Sequence, residues 1–440
     1  MRSSTIILFF LVCFVCALNI NAYGNSYFTE WKIEESCLGS KNVQIPSTMN
    51  DKFEDLTAIV NKKITKDTPK NYDKIIVEDK ISKENPTLSE VLKVPLRWHS
   101  TNLEVFQYSI SRNEMYPEND KNIELVLKDL ATLPIEWIEQ REGGTQIKMI
   151  MHFPREISAL FKPKRMERVD VVHPNHFYFD ELERHNAEIA AFHLDKVLGF
   201  RRAIPHVGRV VNIMDELYPL VDDDMVKTFY ESPSGNKCFH GKCEIYCDSY
   251  HPVCGNPNVI EGSFAAWLPS HENATRDSWR HPWRRSYCKR RTAYWERDSQ
   301  YCDKIRNAPP YNSGRRLLDL MDMAVFDFLM GNQDRHHYEM FRALGDQAFT
   351  IHLDNGRGFG RPYVDDFSIL TPLTQCCLIR ASTLKTLLKY HNGSKKLSDA
   401  LRQSMKNDPI APLLAESHYE ALDRRNVLIL EAIRNCLKNN

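Results

Sequence analysis

Apolar residues recur in three rhythms along this 440-residue chain, and each rhythm predicts a different kind of element. The first is a solid run from Ile6 to Leu18, preceded by Arg2 and followed by the small Ala22, which is the pattern of a secretory signal segment. The run is short for a membrane span, so residues 1–22 are expected to be removed, with retention as a signal anchor as the alternative. From 23 to 95 lysine, aspartate and asparagine dominate without sustained periodicity, which predicts a flexible stem or linker. Order is expected from about Trp98, where Ile123, Leu125, Val126 and Leu130 take up helical spacing.

Alternation then predicts a strand over Thr145–Phe153 and a second over Ser158–Pro163, turned around Pro154, so that Lys162 ends a strand. Helical spacing returns between Asp180 and Leu198 through Ala187, Ala190, Ala191, Leu194, Val197 and Leu198. On that helix Glu183 stands one turn before Ala187, on the apolar stripe, where an unpaired carboxylate is costly. Leu317, Leu318, Met321, Ala324, Val325, Phe328 and Leu329 predict a long buried helix ending at Gly331-Asn332, with Asp334 in the loop beyond. Ala348–Leu353 reads as a strand broken by Asp354-Asn-Gly356, and the remainder to Cys436 as mainly helical. No internal repeat is present.

Composition narrows the function. An apolar fraction of 42% supports a sizeable core, and 58 basic residues against 58 acidic ones leave no global field for nucleic acid or an anionic membrane. Nucleic acid is therefore not an expected partner, and a membrane is one only through the N-terminal segment if it is uncleaved. Cys13 and Cys16 lie in the signal segment; the other ten cysteines form an even set that suits disulfides in an oxidising compartment. Cys238, Cys243, Cys247 and Cys254 are also spaced closely enough for zinc, a second reading. Asn273-Ala-Thr275 and Asn392-Gly-Ser394 are glycan acceptors open to a secreted chain.

The candidate chemistry is phosphoryl transfer, which needs a cation for phosphates, carboxylates for a divalent metal, and a carboxylate to orient the attacking hydroxyl. A strand-end Lys162, a helix Glu183, a loop Asp334 and a strand-end Asp354 follow in the order found in protein kinases. Asp334-Arg-His-His-Tyr-Glu339 also keeps an oxygen donor five residues on. Only Gly143-Gly144 precedes Lys162 where a phosphate-covering loop is expected, and the glycines of Gly356-Arg-Gly-Phe-Gly360 open no helix, which argues against a dinucleotide fold. His336 and His337 beside Asp334 would suit a metallohydrolase completed by Asp354, although a hydrogen-bonding pair is the plainer reading. Arg284, Arg285, Lys289, Arg290 and Arg291 fit a solvated face and a grip on acidic or phosphorylated segments equally well.

Several longer strings carry a resemblance: Phe177-Tyr-Phe, Glu183-Arg-His-Asn-Ala-Glu-Ile-Ala-Ala-Phe-His-Leu194, Ile260-Glu-Gly-Ser263, Met330-Gly-Asn-Gln-Asp-Arg-His-His-Tyr-Glu339 and His352-Leu-Asp-Asn-Gly-Arg-Gly-Phe-Gly360. Together they resemble the secretory-pathway Golgi casein kinase family from roughly Trp98 to Cys436. The resemblance implies an α+β, atypical protein-kinase-like two-lobed fold over 96–440, with an N-lobe at about 98–259 and a disulfide-stapled C-lobe at about 260–440. It also implies a Golgi-lumenal and secreted serine/threonine kinase that uses ATP and Mn2+, with Mg2+ as the alternative, on Ser-x-Glu contexts of secreted proteins. Asp334 would then be the catalytic aspartate, and Glu183 and Asp354 the metal ligands. Gln146, Lys148 and Lys162 would hold the phosphates, Glu339 would assist at the nucleotide, and Ala265, Ala266, Trp267 and Leu268 would form the hinge against adenine. Glu188 is a further candidate partner for the lysine.

The implied disulfides are Cys238 with Cys254, Cys243 with Cys247, Cys302 with Cys376, and Cys377 with Cys436. Cys37 and Cys288 are left over, whether paired together, free, or linking two chains. Implied partners are secreted acidic proteins and a homodimer, or a heterodimer with a related pseudokinase. The nearest competing activity is the sister kinase of xylose in glycosaminoglycans, against which Asp354-Asn-Gly-Arg-Gly-Phe and Trp279–Tyr287 favour the protein kinase branch. A pseudokinase activator fits less well with Lys162, Glu183, Asp334 and Asp354 all intact.

Overall fold

The computed structural model describes residues 51–66, 68–78, 84–141, 143–270 and 272–439. The expected signal segment, the first part of the stem and Cys37 lie outside them. Five strands form one antiparallel sheet: β1 (Trp137–Gln140), β2 (Met149–Phe153), β3 (Ile157–Pro163), β4 (His206–Asn212) and β5 (Val259–Ala266), in the order β1-β2-β3-β5-β4. Alternation sets the two faces of β3. Ile157, Ala159 and Phe161 turn into the core, where Phe161 meets Phe264 with ring centroids 4.9 Å apart. Leu160 and Lys162 take the other face, and the register aligns Leu160, Ala265 and His206 in one row across three strands. A smaller antiparallel pair, β6 (Arg276–Arg280) with β7 (His337–Phe341), joins the chain after the sheet's last strand to the segment that follows Asp334.

The helices used below are α1 (Glu54–Val60), α2 (Asn102–Ser109), α3 (Lys121–Thr132), α4 (His185–Leu198), α5 (Arg316–Met330), α6 (Ala381–Asn392), α7 (Leu397–Met405) and α8 (Glu416–Asn439). Both α3 and α4 lie against β4 and β5, while α8 packs on α5, α6 and α7 to build the second lobe. No described helix is long and apolar enough to cross a membrane. Within α5, Leu320, Met321, Met323, Val325, Phe326 and Phe328 are buried around the whole circumference, and Gly331 ends the helix at φ +72, a left-handed turn that favours glycine.

Four disulfides join Cys238–Cys254, Cys243–Cys247, Cys302–Cys376 and Cys377–Cys436. Oxidised in pairs, the first four sulfurs cannot serve as zinc thiolates, which removes that reading. The last two bridges span 74 and 59 residues. On loop entropy alone, closures of that length are worth about 4 kcal/mol each. Cys288 is an exposed free thiol.

Several expectations need correction. The stem reading fails from Asp51 on, because α1 buries Leu56 and Ile59 and docks on α6, with Phe53 fully buried at its start. A lysine-rich, aromatic-poor composition hid this docking. Ordered helices precede Trp98, which itself is exposed, so order does not start there. The lobe boundary shifts from 259–260 to beyond Ala266, since β5 lies inside the sheet between β3 and β4. Ala348–Leu353 forms only isolated bridges, Ile351 to Glu339 and His352 to Ala203, so the chain there is extended without a ladder.

Phe53 meets His391 edge-on at 4.9 Å and sits under the Arg434 guanidinium at 4.9 Å. Phe53→Ala is expected to cost about 3–5 kcal/mol of unfolding free energy in denaturant titration. A loss below about 1 kcal/mol would show that α1 is not integral to the fold.

Candidate active site

Three carboxylates converge on one ammonium. Lys162 Nζ lies 2.8 Å from Glu183 Oε2 and 3.0 Å from Asp354 Oδ1, and it also bonds Glu188 Oε1. Burial alone would lower the lysine's proton affinity, but Asp354, Glu183 and Glu188 outweigh it and hold the group well above the usual lysine range. Asp354 is held well below the carboxylate range by Lys162, against the opposing effect of burial and with help from Lys148. Burial raises Glu188, yet Lys162 and His206 bring it below its ordinary value.

Each of the three carboxylates arrives by a different route. Glu188 projects from the first turns of α4, and its Oε2 accepts the backbone N–H of Asn355 at 2.9 Å. Asp354 sits at φ +56, a left-handed conformation that is strained for a residue other than glycine. Glu183 is not on the helix as the spacing predicted, because α4 starts only at His185. Its N–H donates to Gln146 Oε1 at 3.1 Å and the next N–H, from Arg184, to Gly356 O at 2.7 Å, and these outside partners keep the segment extended. A Cβ on Gly356 would lie 3.0 Å from Glu183 Cβ and 3.2 Å from its Oε2, close enough to push the carboxylate aside by a few tenths of an ångström.

Asp334 is fixed from behind. Beyond Gly331, Asn332 accepts the Asp334 N–H at 3.0 Å on its side-chain oxygen. Arg335 grips Asp327 of α5 at 2.9 and 2.8 Å, reaches Asn355 Oδ1 at 2.6 Å and bonds the Leu353 carbonyl. One guanidinium thus ties the Asp334 loop to the Asp354 turn. Arg357 bonds Asp334 Oδ2, whereas Oδ1 is buried and accepts no hydrogen bond from the described residues. Its neighbour is His336 Nδ1 at 3.5 Å, which also lies 2.9 Å from the Asp334 carbonyl. The His337 ring is tilted against that of His336, with centroids 4.4 Å apart.

One oxygen from each of Glu183, Glu188 and Asp354 lies within 4.8 Å of the others, an all-oxygen set of the kind that suits Mg2+ or Mn2+. Three negative charges against one positive leave the cluster short of cationic charge, which fits a divalent ion. Glu188 has both oxygens committed to Lys162 and Asn355; Glu183 and Asp354 each keep one oxygen with no hydrogen bond from the described residues.

Beside this cluster opens a cleft lined by Lys148, Lys162, Glu188, Ala265, Ala266, Trp267, Leu268, Glu339 and Asp354. Gln146 is buried behind it and acts on Glu183. Sequence reasoning missed Arg141, Leu160, Ile204, His206, Arg276 and Leu353 in the same lining. Leu160 could have been found from its period-two relation to Lys162. Arg276, which pairs with Glu339 at 2.9 Å across β6 and β7, carried no signal. The basic block divides: Arg285 is held by Asp366 at 3.2 Å and by Ser368, while Lys289, Arg290 and Arg291 are exposed. Both sequon asparagines are exposed, and the Asn392 side-chain nitrogen donates to Asp51 at 2.6 Å.

Residues 101–440 match the family described as Golgi casein kinase, C-terminal, Fam20. An extracellular serine/threonine protein of Drosophila melanogaster is 55% identical over 371 residues, covering 84% of this chain and 70% of the relative. Human extracellular serine/threonine protein kinase FAM20C is 49% identical over 336 residues, covering 76% of this chain and 58% of the relative. A solved structure of the Golgi casein kinase with Mn and ADP bound superposes with a TM-score of 0.80 at 40% identity, covering 91% of this chain and 94% of the other. Relatives named as pseudokinase and as glycosaminoglycan xylosylkinase match as well.

Lys162→Met leaves the buried Glu188 and the half-buried Glu183 and Asp354 without their cation and is expected to cost about 3–5 kcal/mol of stability. Mn2+ should then raise the melting temperature of the variant by more than that of the parent protein, as followed by calorimetry. An equal response in both proteins would mean that the ion does not bind at these carboxylates.

Proposed function

The chain belongs to the Fam20 Golgi casein kinase family and is a serine/threonine kinase, and on that premise we propose a substrate, a site and a compartment for it. It transfers the γ-phosphate of ATP to serine in Ser-x-Glu stretches of secreted proteins, using Mn2+, in the Golgi lumen and outside the cell. The observation that carries this reading is the bare, buried Asp334 Oδ1 beside a cluster of three carboxylates and a lysine.

Each role follows from position. Leu160, Ile204, Leu353 and Ala265–Leu268 line the cleft together, an apolar slot for a purine base. Lys148 and Lys162 stand where phosphate oxygens enter, with Arg141 and Arg276 at the same wall. Glu183 and Asp354 hold the divalent ion, which when bound neutralises charge on the phosphates. Asp334 Oδ1 accepts the proton of the serine hydroxyl, with Arg357 and Asn332 fixing the direction in which it points. Glu188 keeps Lys162 in line and anchors the Asp354 turn through Asn355. Relatives named as pseudokinase support a heterodimer with such a protein as the partnership to look for.

The test supplies purified protein with labelled ATP, Mn2+ and either an acidic serine peptide or a galactose-xylose acceptor. Label is expected on the peptide, and Asp334→Ala is expected to lower kcat by about 10²–10⁴-fold. Label on the sugar alone would make the protein a glycan kinase, and full activity in Asp334→Ala would sink the proposed mechanism.

A further inference from the structure

His281–Trp295 holds five cations and no carboxylate, in a chain whose charges otherwise balance. Buried Trp283 and Trp295 anchor the two sides of this stretch: Trp283 Nε1 donates to Gln375 at 2.9 Å, and Trp295 Nε1 donates to the Arg284 carbonyl at 2.8 Å. The Arg284 N–H in turn donates to the His281 carbonyl at 3.1 Å. The backbone of Arg284 is therefore held on both sides.

Its side chain is not. Arg285 is committed to Asp366 and Ser368, and Arg276 to Glu339, but the Arg284 guanidinium meets no carboxylate among the described residues. It lies 5.6 Å over the ring of Tyr287, which is set edge-on to His336 at 5.7 Å and tilted on Phe179 at 4.7 Å. Phe179 is covered in turn by Arg357, the residue bonded to Asp334. A continuous wall runs from Asp334 and Arg357 across two rings, Phe179 and Tyr287, to Arg284. The Tyr287 hydroxyl, pushed up to about 12 by burial and by the charge of Asp334, places that ring within the aspartate's field.

A peptide crossing this wall in extended form advances about 3.3 Å per residue and returns side chains to the same face at every second position. With its serine at Asp334, the side chain two residues away comes back to the same wall about 7 Å further along, and a glutamate stem adds several ångströms of reach. We propose that Arg284 is the specificity-determining residue for the acceptor, binding a carboxylate two residues from the serine presented to Asp334. This rests on the protein-kinase reading above. Lys289, Arg290 and Arg291, exposed on the same loop, extend the positive rim for further acidic positions.

The experiment uses two serine peptides that differ only in a glutamate or a lysine two positions C-terminal to the serine, with the full chain, Arg284→Glu and Arg284→Lys. The parent protein should favour the glutamate peptide. Arg284→Glu should lower kcat/KM for that peptide by about 10–100-fold and reverse the ratio between the two, while Arg284→Lys keeps the preference. Because the readout is a ratio, it is unaffected by the fraction of enzyme that folds, and an unchanged ratio in Arg284→Glu, or a preference lost in Arg284→Lys, overturns the proposal. If the parent protein labels neither peptide but does label a galactose-xylose acceptor, the protein-kinase reading itself falls.

Discussion

A single buried ammonium facing three carboxylates is the constraint around which the rest of this molecule is arranged. Lys162 comes from the sheet, Glu188 from α4, Glu183 from the approach to α4, and Asp354 from the far lobe. Like charges brought this close are unfavourable unless cations are supplied, and the chain supplies fewer than the carboxylates demand. A site in electrostatic deficit is what a metal-nucleotide enzyme needs, because the bound ion then completes a charge balance that the protein leaves open.

The surrounding buried charges serve to hold this arrangement. Asp195 of α4 bonds His352 at 2.7 Å and the Arg202 N–H at 2.8 Å, with both Asp195 and His352 fully buried. Arg202 continues to Asp319 at 3.3 Å and Asp322 at 3.0 Å on α5, where Arg380 also binds. These contacts run from the sheet's helix to the centre of the second lobe without reaching solvent. In a low-dielectric interior, each charge that loses its partner bears the full cost of desolvation, so the network favours one relative placement of α4 and α5.

Much of the site was legible in the sequence because its residues sit at element ends, where periodicity stops. Lys162 at the end of an alternating run, Asp334 just past a helix capped by glycine, and Asp354 before Asn-Gly all announce themselves in this way. Glu183 stood out instead as a charge on an apolar stripe, and its place ahead of the helix did not show, since the extended conformation there depends on hydrogen bonds to Gln146 and Gly356, which are far away in sequence. Helical spacing simply ran on through it. The lobe boundary was misplaced for a related reason: Val259–Ala266 is an inner strand whose two neighbours are set by tertiary pairing, and nothing local marks it as belonging with residues a hundred positions earlier. The α1 segment was hidden by composition, because a few apolar side chains docked on α6 are enough to order it and they are diluted among lysines.

Arg335 has a consequence of a different kind. By gripping Asp327, Asn355 and the Leu353 carbonyl at once, it makes the spacing between Asp334 and Asp354 a property of the folded interior. Recognition and chemistry are thereby decoupled: lineages descended from such a scaffold can exchange one kind of hydroxyl acceptor for another by altering the rim alone, while the interior that performs the transfer passes down unchanged.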